Sequence, residues 1–498
     1  MTRSRSLTTP ALIGTLAAFG ACLSACNLVN GVDQFSVAGA GGASTSTGGA
    51  GGGGTGGMAP PSRVLWSRTY GGPLADSLSG IAMDGDAALV TGFVSGAGDF
   101  GEETTMEPGV FVARVNAQGA TLAAQTYTTG PSTNDGSPAI ALTPDGLTIL
   151  AGVYSGTVDF GPGPMMTADS PLFLANIGAW PMPAKWALSI GQAVTWSGPR
   201  IVADASGGVA LFAHGRGGTV KFGDSTFMGT MKSAAYLLRA SADGTAKWSR
   251  AFTSTGHVYA EDIAIDPTDG QSVVVAGKAD AGPIDCGCAA GPLETLGYGM
   301  FVARYDAAGA CQSQLSYGAN TAPHGVTVGA DGGVVLVGAY GAAFDVQGTM
   351  FEAPSAGTFD AFVLRFDSAG KLLWGRAFGA PDHDDDADQV VVGDGGDVFV
   401  TGHVSGAVDL GDGVTLEATT TSDLYVARLS GKDGKAIWAQ RFANKTIYPV
   451  LFARLAADPK GNLLAGGLFT GTIDFGDADS PHASFGGPDG YLAKLAPN

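Results

Sequence analysis

One unit recurs seven times from about residue 63 onward, and this repeat limits the fold more than any other feature of the chain. Each copy has a hydrophobic strand ending in a small residue and Gly, as in LVTG (89–92) and FVTG (399–402). A segment ending in Asp-Phe-Gly or a related tripeptide follows about every 60 residues. Units of this kind bury their faces against neighbouring units. The Asp position of the tripeptide is occupied by Asp99, Asp159, Lys221, Asp285, Asp345, Asp409 and Asp474.

The remaining strands of the unit have their own signatures. A strand of the type VFVARV (110–115) has an aromatic second residue in all seven copies, and Arg or Lys at its fifth position in six. The next strand usually carries Trp, with an aromatic residue four positions later. Gly-bounded turns and the lack of helical periodicity predict four strands per unit.

The frame of the repeat distinguishes a propeller from a solenoid. A Trp-containing strand at 64–70 precedes the first Asp-Phe-Gly segment, whereas the last unit (463–495) lacks its Trp strand. An N-terminal strand can therefore complete the C-terminal blade and remove the free edge. We predict an all-β protein, a seven-bladed β-propeller of four-stranded blades closed in this way.

The units resemble the bacterial β-propeller repeats called SBBP or delta-60 repeats over residues 63–495. The VTG-to-DFG pair and the FVAR strand carry the resemblance. It implies an exported or surface protein, and it brings no shared enzymatic site. Lys221 in an Asp position, and Ala123 and Ser313 in Trp positions, depart from the pattern.

The first 25 residues have the features of a secretory signal. Arg3 and Arg5 precede an apolar stretch of roughly a dozen residues, which is too short to span a membrane. The sequence Leu23-Ser24-Ala25-Cys26 resembles the lipobox of bacterial lipoproteins. That resemblance implies cleavage before Cys26 and lipidation of its sulfur. Because residue 27 is Asn rather than Asp, we expect the outer membrane rather than the inner one.

Residues 26–62 follow as a Gly-, Ala-, Ser- and Thr-rich segment that cannot bury enough apolar surface to order itself. We expect it to tether the lipid to a propeller that spans 63–498. The predicted location is the outer membrane, anchored by lipid, facing either the exterior or the periplasm.

The charge balance excludes one class of partner. The sequence has 45 Asp and Glu against 26 Lys and Arg, a formal net charge of −19. So acidic a chain disfavours nucleic acids and leaves cations as ligands. None of the motifs GxSxG, HExxH and GxxxxGK[ST] occurs, and the six His residues form no ligand pair by spacing. We expect no organic cofactor.

Three cysteines lie within the propeller, namely Cys286, Cys288 and Cys311. In an exported protein they allow one disulfide and one remaining thiol. Cys286 and Cys288 are too close for easy mutual bridging. Cys311 is therefore expected to pair with either of them.

The stretch GAPDHDDDADQ (379–389) is the densest acidic segment of the propeller. We place it in a connection between two blades, near the central channel. This connection is on the face whose loops vary in length, and variable loops on a rigid scaffold commonly bind ligands. Alternating Asp residues resemble the ligands of calcium loops. The candidate calcium ligands are Asp382, Asp384, Asp386 and Asp388.

Two alternatives to calcium remain for this stretch. The EF-hand pattern requires Gly at its sixth position and Glu at its twelfth, where this chain has Ala387 and Gly393. A solvated acidic loop is one alternative, and a catalytic cluster that includes His383 is the other. The Asp and Arg that recur in every unit are expected to stabilise blades, and the Trp and Phe rows to form the core between blades.

These observations favour a non-catalytic recognition module, a monomer anchored in the membrane by lipid that binds an unknown protein or glycan. A periplasmic scaffold for outer-membrane assembly is a second hypothesis. A propeller enzyme with its site on the variable-loop face is a third.

Overall fold

A computed structural model describes residues 63–497 except for short segments (102–104, 129–136, 155, 162, 168–170, 182–183, 193, 296, 418–421 and 445–450). The predicted signal, Cys26 and the tether lie outside the described residues. Seven antiparallel sheets account for the blades, each with four blade strands, and two of the sheets also include short additional strands. In blades 1 to 6 the four blade strands follow sequence order from the channel outward. The seven innermost strands contact one another in a closed ring, so they line a central channel.

The second and third strands of each blade carry most of its buried aliphatic residues. From blade 1 to blade 7, the innermost strands are Asp76–Asp84, Ala139–Leu142, Arg200–Ala203, Val258–Ile265, Thr321–Val328, Asp386–Val392 and Leu451–Ala457. The second strands are Ala87–Val94, Thr148–Val153, Val209–Arg216, Val273–Ala279, Val334–Tyr340, Val398–Val404 and Leu463–Phe469.

The third strands are those with the aromatic-to-Arg signature, and the outer strands usually carry the Trp. The third strands are Gly109–Val115, Leu172–Asn176, Ala234–Ala240, Gly299–Tyr305, Asp360–Phe366, Asp423–Leu429 and Asp489–Leu495. The outer strands of blades 1 to 6 are Thr121–Tyr127, Trp186–Ile190, Ala246–Phe252, Cys311–Tyr317, Leu372–Phe378 and Ala436–Asn444.

The ring closes as the sequence predicts. The outer strand of blade 7 is Val64–Tyr70, which pairs antiparallel with Asp489–Leu495 from the other end of the chain. The outer edge of Asp489–Leu495 is thus paired within the same molecule. The seven-bladed fold with four-stranded blades is confirmed.

The Asp-Phe-Gly segments do not form the blade strands that we expected from the repeat. They lie in small two-stranded hairpins between the second and third strands, and the innermost strand takes the fourth place in each sheet. In six of the seven copies the Asp side chain accepts a backbone N–H of its own turn, as Asp99 does from Gly101 at 2.8 Å. The hairpins are Gly98–Asp99/Thr105–Met106, Gly156–Val158/Met165–Thr167, Thr219–Phe222/Ser225–Met228, Phe344–Val346/Thr349–Phe351, Ala407–Gly411/Val414–Glu417 and Thr472–Asp474/His482–Ala483.

This arrangement changes one assignment of faces. The connection from the second strand to the Asp-Phe-Gly segment has a nearly uniform length, and this regularity predicts that it lies on the face opposite the variable loops. It lies instead on the same face as the loops between blades, as shown by the bridge between Gly71 and Asp99. The connections from the second to the third strand and the loops from each outer strand to the next blade both vary in length. They share one face, which we call the variable face.

Repeated polar contacts hold the blades together. In six blades the basic residue of the third strand pairs with an Asp at the end of the innermost strand or in the turn after it, and not with the Asp-Phe-Gly carboxylate. Each of the five Trp residues on outer strands donates its indole N–H to a carbonyl of the next blade, as Trp374 does to Gly431 at 2.9 Å. The six pairs are Arg114–Asp84, Arg239–Asp204, Arg304–Asp266, Arg365–Asp331, Arg428–Asp397 and Lys494–Asp458.

Blade 4 contains the cysteines. A disulfide joins Cys288 and Cys311, while Cys286 is a buried free thiol whose pKa burial raises to about 12. None of the described residues belongs to a helix long and apolar enough to cross a membrane.

Candidate binding site in the central channel

The innermost strands place one variable residue per blade at the same level of the channel. Each innermost strand has an aliphatic residue opposite the second-strand residue that comes two positions before the small residue. In blade 4, Ile263 lies opposite Val275, and the small residue is Gly277. The residue directly before this aliphatic one differs from blade to blade. It is small in three blades and polar or charged in the other four. In blade order the residues are Gly80, Ala139, Arg200, Asp262, Gly325, Gln389 and Arg454.

β-Bulges add a second row of side chains just above this level, toward the variable face. In blades 4, 5 and 6 the strand register shifts by one residue, and the extra residues are Glu261, His324 and Asp388. A bulge re-aims a side chain relative to a regular strand and is common near functional sites. In blade 1 the same position holds only Ser79, whose hydroxyl donates to the Pro138 carbonyl at 2.7 Å.

A third contribution comes from the second strands. The position after the small residue is apolar in four blades, and holds His214, Lys278 and His403 in blades 3, 4 and 6. Counted back from Lys221, the seven-residue spacing between the Gly and Asp positions of the repeat predicts His214 itself in the Gly position. The strand register shows that Ala213, opposite Tyr236, takes that position, as Gly277 does opposite Phe301. His214 therefore belongs with the channel residues.

Two His–Asp pairs connect these rows in blades 5 and 6. His324 Nδ1 lies 2.8 Å from Asp386 Oδ1, and His403 Nδ1 lies 2.9 Å from Asp388 Oδ2. Burial opposes the charged imidazole of His324, but the Asp386 carboxylate outweighs burial and raises the pKa of His324. Burial likewise opposes ionisation of Asp388, yet the nearby His403 holds the pKa of Asp388 below its usual value.

Blades 3 and 4 add a further pair and a neutral imidazole. Lys278 Nζ lies 3.3 Å from Glu261 Oε1, and both side chains are almost fully buried. The Ala260 N–H donates to His214 Nδ1 at 3.2 Å. Burial lowers the pKa of His214 to about 4, so this ring is neutral at physiological pH.

Below these pairs, a cavity of about 120 Å³ is lined by residues of six blades. Arg200 and Arg454 are its two basic residues, and Asp262 is its one acid. Burial lowers the pKa of Arg454 to about 9, and the nearby Arg200 adds to the effect. Burial raises the pKa of Asp262, whose Oδ2 accepts the Val326 N–H at 2.9 Å.

The acidic stretch 379–389 is divided between turn and strand. Asp382 and Asp384 are exposed in the turn, where Asp384 Oδ1 accepts the Phe359 N–H at 3.0 Å. Asp386 and Asp388 lie on the innermost strand of blade 6. The structure thus brings two of the four candidate calcium ligands together and leaves the other two outside the channel. His383 is exposed as well.

Asp385, within the same stretch, has a structural role. Its two oxygens accept N–H groups of Ala380 and Ser405, which ties the loop between blades to the end of the second strand. In blade 1, Asp76 accepts from Gly72 and Ser95 in the same way. Burial raises the pKa of Asp385 to about 7.

The comparisons with known proteins add no function. No known family matches the sequence, and no curated protein matches it. Three solved structures illustrate what the fold resembles. A protein of unknown function from Bacteroides caccae has a TM-score of 0.34 and 9% identity, covering 76% of this chain and 95% of its own. Another of unknown function, from Dyadobacter fermentans, has a TM-score of 0.35 and 10% identity, covering 72% and 94%.

A quinohemoprotein alcohol dehydrogenase from Pseudomonas putida has a TM-score of 0.41 and 10% identity, covering 87% of this chain and 76% of its own. Similarity at this level carries no argument about chemistry. The seven-bladed architecture rests on the strand pairing within the chain itself.

Proposed function

We propose that this protein is a lipid-anchored β-propeller of the bacterial cell envelope that recognises a carboxylate-bearing ligand in its central channel. The sequence around Cys26 supports the anchor, and the resemblance to exported repeat proteins supports the location. The repeated blades provide the scaffold. The charged channel provides positions at which the blades differ from one another.

One observation carries the ligand class, namely two guanidinium groups that share a cavity with a single carboxylate, that of Asp262, and form no ion pair with it. In the described part of the chain, no carboxylate oxygen lies within 4.0 Å of Arg200 or Arg454. Their hydrogen bonds go to carbonyls, from Arg454 Nε to Ser79 at 2.8 Å and from Arg200 to Pro199 at 3.3 Å. By contrast, the six basic residues of the third strands all pair with Asp.

Two neighbouring guanidinium groups in a half-buried site repel each other, and a bound anion relieves that repulsion. Planar carboxylates match the fork of donors on Arg. The cavity has room for about four waters at their volume in the liquid, enough for a carboxylate group. It is open on one side, so a body attached to the carboxylate, such as one sugar ring, can extend out of it. Gln389, which also lines the cavity, can donate to that body.

Calorimetric titration with sodium glucuronate and with glucose tests this proposal, since the two sugars differ in the carboxylate. We expect glucuronate to bind and glucose not to bind. Arg200→Gln and Arg454→Gln should each weaken binding at least about tenfold, the loss of one charge-assisted pair. The matched control is Arg376→Gln, which removes an arginine paired with Asp412 outside the channel and should leave binding unchanged.

Equal binding of the two sugars would refute the ligand class. The ligand class would also be refuted if both channel variants kept the wild-type circular dichroism spectrum and still bound glucuronate as tightly as the wild type.

The anchor and the location need a separate experiment. We expect Cys26→Ser to move the protein from the membrane fraction to the soluble fraction. Proteinase K applied to intact cells should release a propeller that faces the exterior. If the propeller is protected until the cells are lysed, it faces the periplasm, and the assembly-scaffold hypothesis gains support.

A further inference from the structure

We propose that His324, Asp386 and Asp388 form a binding site for a divalent transition-metal ion, of which Zn²⁺ is the best fit, at the channel end nearest the variable face. This site uses none of the arginines assigned to the carboxylate ligand. The two proposals can therefore succeed or fail separately.

The geometry is the first support. One ligand atom from each of the three side chains lies within 4.8 Å of the other two, and among the described residues no other group of three meets this criterion. Zinc bonds to nitrogen and oxygen are about 2.0–2.2 Å long, so a common ion needs ligand atoms no more than about 4.4 Å apart. The 4.8 Å limit on the ligand-atom separations exceeds this requirement by about 0.4 Å. Small side-chain rotations would therefore bring the three atoms within reach of one ion.

The positions of the three residues in the fold are the second support. His324 and Asp388 are bulge residues at the same level of neighbouring blades, and Asp386 lies two residues before Asp388 on the same strand. Rigid innermost strands therefore present all three side chains, rather than a loop. Each side chain is about one-fifth exposed, which leaves a path for an ion from the solvent.

A surrounding shell orients the ligands. His403 Nδ1 contacts Asp388 Oδ2 at 2.9 Å, and the Tyr425 hydroxyl donates to the backbone carbonyl of Asp386 at 3.0 Å. Contacts of this kind hold metal ligands in position and raise affinity. Blade 4 has Glu261 at the bulge position, but its carboxylate is already paired with Lys278. The combination of one imidazole and two carboxylates close enough to share an ion thus occurs between blades 5 and 6.

The donor set favours zinc over calcium. Calcium takes six to eight oxygen ligands, whereas this site offers two carboxylates and one imidazole. Imidazole with carboxylate suits Zn²⁺ and its neighbours in the transition series. Three protein ligands leave one coordination position for water or for an added ligand.

Metal alone is the probe for the test. The full chain, without an affinity tag, is dialysed against EDTA and then titrated with Zn²⁺ and, in parallel, with Ca²⁺. We expect one equivalent of Zn²⁺ to bind, at least about a hundredfold more tightly than Ca²⁺. His324→Gln and Asp386→Asn should each weaken Zn²⁺ binding at least about tenfold, and His403→Gln by about tenfold.

Asp382→Asn and Asp384→Asn are matched controls from the same acidic stretch and should bind Zn²⁺ as the wild type does. Co²⁺ substitution gives a second readout, because its visible spectrum should change in His324→Gln if this imidazole is a ligand.

Three outcomes would overturn the proposal. The first is the absence of a stoichiometric zinc site. The second is unchanged binding in His324→Gln and Asp386→Asn when their melting temperatures in EDTA match the wild type. The third is tighter binding of Ca²⁺ that is lost in Asp382→Asn or Asp384→Asn, which would place a calcium site in the turn instead.

Discussion

In the blade that closes the ring, Lys494 Nζ lies 2.7 Å from Asp458 Oδ2, and both side chains are almost fully buried. Burial alone would raise the pKa of Asp458, but hydrogen bonds from Lys494 and Asn462 outweigh it and lower that pKa. The pair joins the third strand of blade 7 to the turn after the innermost strand.

We expect Lys494→Met to destabilise the protein by about 3–5 kcal/mol, because it leaves a buried carboxylate without its partner. Denaturant unfolding measures the change. Lys435→Met is the matched control, since it removes an exposed lysine 3.9 Å from Asp433 and should cost less than about 1 kcal/mol. Similar losses in the two variants would contradict our interpretation of the buried pair.

The contact between Trp374 and Gly434 links blades 5 and 6. A Cβ atom at Gly434 would lie 2.6 Å from the indole ring, and the φ angle there is +70°. Gly434→Ala should therefore destabilise by about 1–3 kcal/mol through overpacking, beyond about 1 kcal/mol of backbone strain. Gly413→Ala isolates the strain, since its φ is +83° and no atom lies within 4 Å of the added Cβ. Equal melting temperatures for the two variants would argue against tight packing between the blades.

The disulfide pairing can be tested by counting thiols. After unfolding without reductant, Cys286→Ala should show no labelled thiol at its two remaining propeller cysteines, because Cys288 and Cys311 are joined. Cys288→Ala should show two labelled residues, Cys286 and Cys311, and should lose about 3 kcal/mol of stability. The reverse labelling pattern would mean that Cys311 pairs with Cys286.

Asp489 gives a pH dependence whose sign can be worked out. Burial, with a smaller contribution from nearby Asp76, raises the pKa of Asp489 to about 6. Between about pH 4 and pH 6 the folded protein therefore keeps a proton that the unfolded chain has released, so this group lowers stability as pH rises through that window.

Asp489→Asn cannot ionise, and its amide oxygen can still accept the Phe485 N–H. Relative to the wild type, the melting temperature of Asp489→Asn should thus increase from pH 4 to pH 7. Asp394→Asn, at an exposed turn position, should show no such trend. A constant difference between Asp489→Asn and the wild type across this range would refute the expectation.

The number of blades and their closure could be predicted from the sequence because both depend on a repeat and its frame. The Trp strand at 64–70 has no counterpart in the last unit, and that single offset is enough to require closure by the N-terminal strand. The innermost strands escaped prediction because they share only one aliphatic residue per blade, as Ile81 and Val390 illustrate. The Asp-Phe-Gly segments are more regular, yet they form hairpins outside the blade sheets. In six of the seven copies the turn is held by its own Asp, so it can recur from unit to unit without belonging to a blade.

The channel was predicted least well, for a related physical reason. Its charged residues occupy positions where the repeat tolerates any side chain, so they stand out only when the strands are aligned by register. The offset of one residue at His214 hid its equivalence to Lys278 and His403. The acidic stretch was correctly placed near the channel. Its alternation, however, could not show that Asp386 faces His324 of the preceding blade.

Closure by Val64–Tyr70 also bears on the order in which the protein folds. Blades 1 to 6 are each formed from one continuous stretch of chain, so each can form its own strand pairs without the rest of the ring. Blade 7 cannot, because its outer strand is made first and its partner, Asp489–Leu495, is made last. The edge of the growing chain therefore stays unpaired until residue 495 has emerged, and long-range contacts of this kind form slowly. Only a completed chain can become a ring.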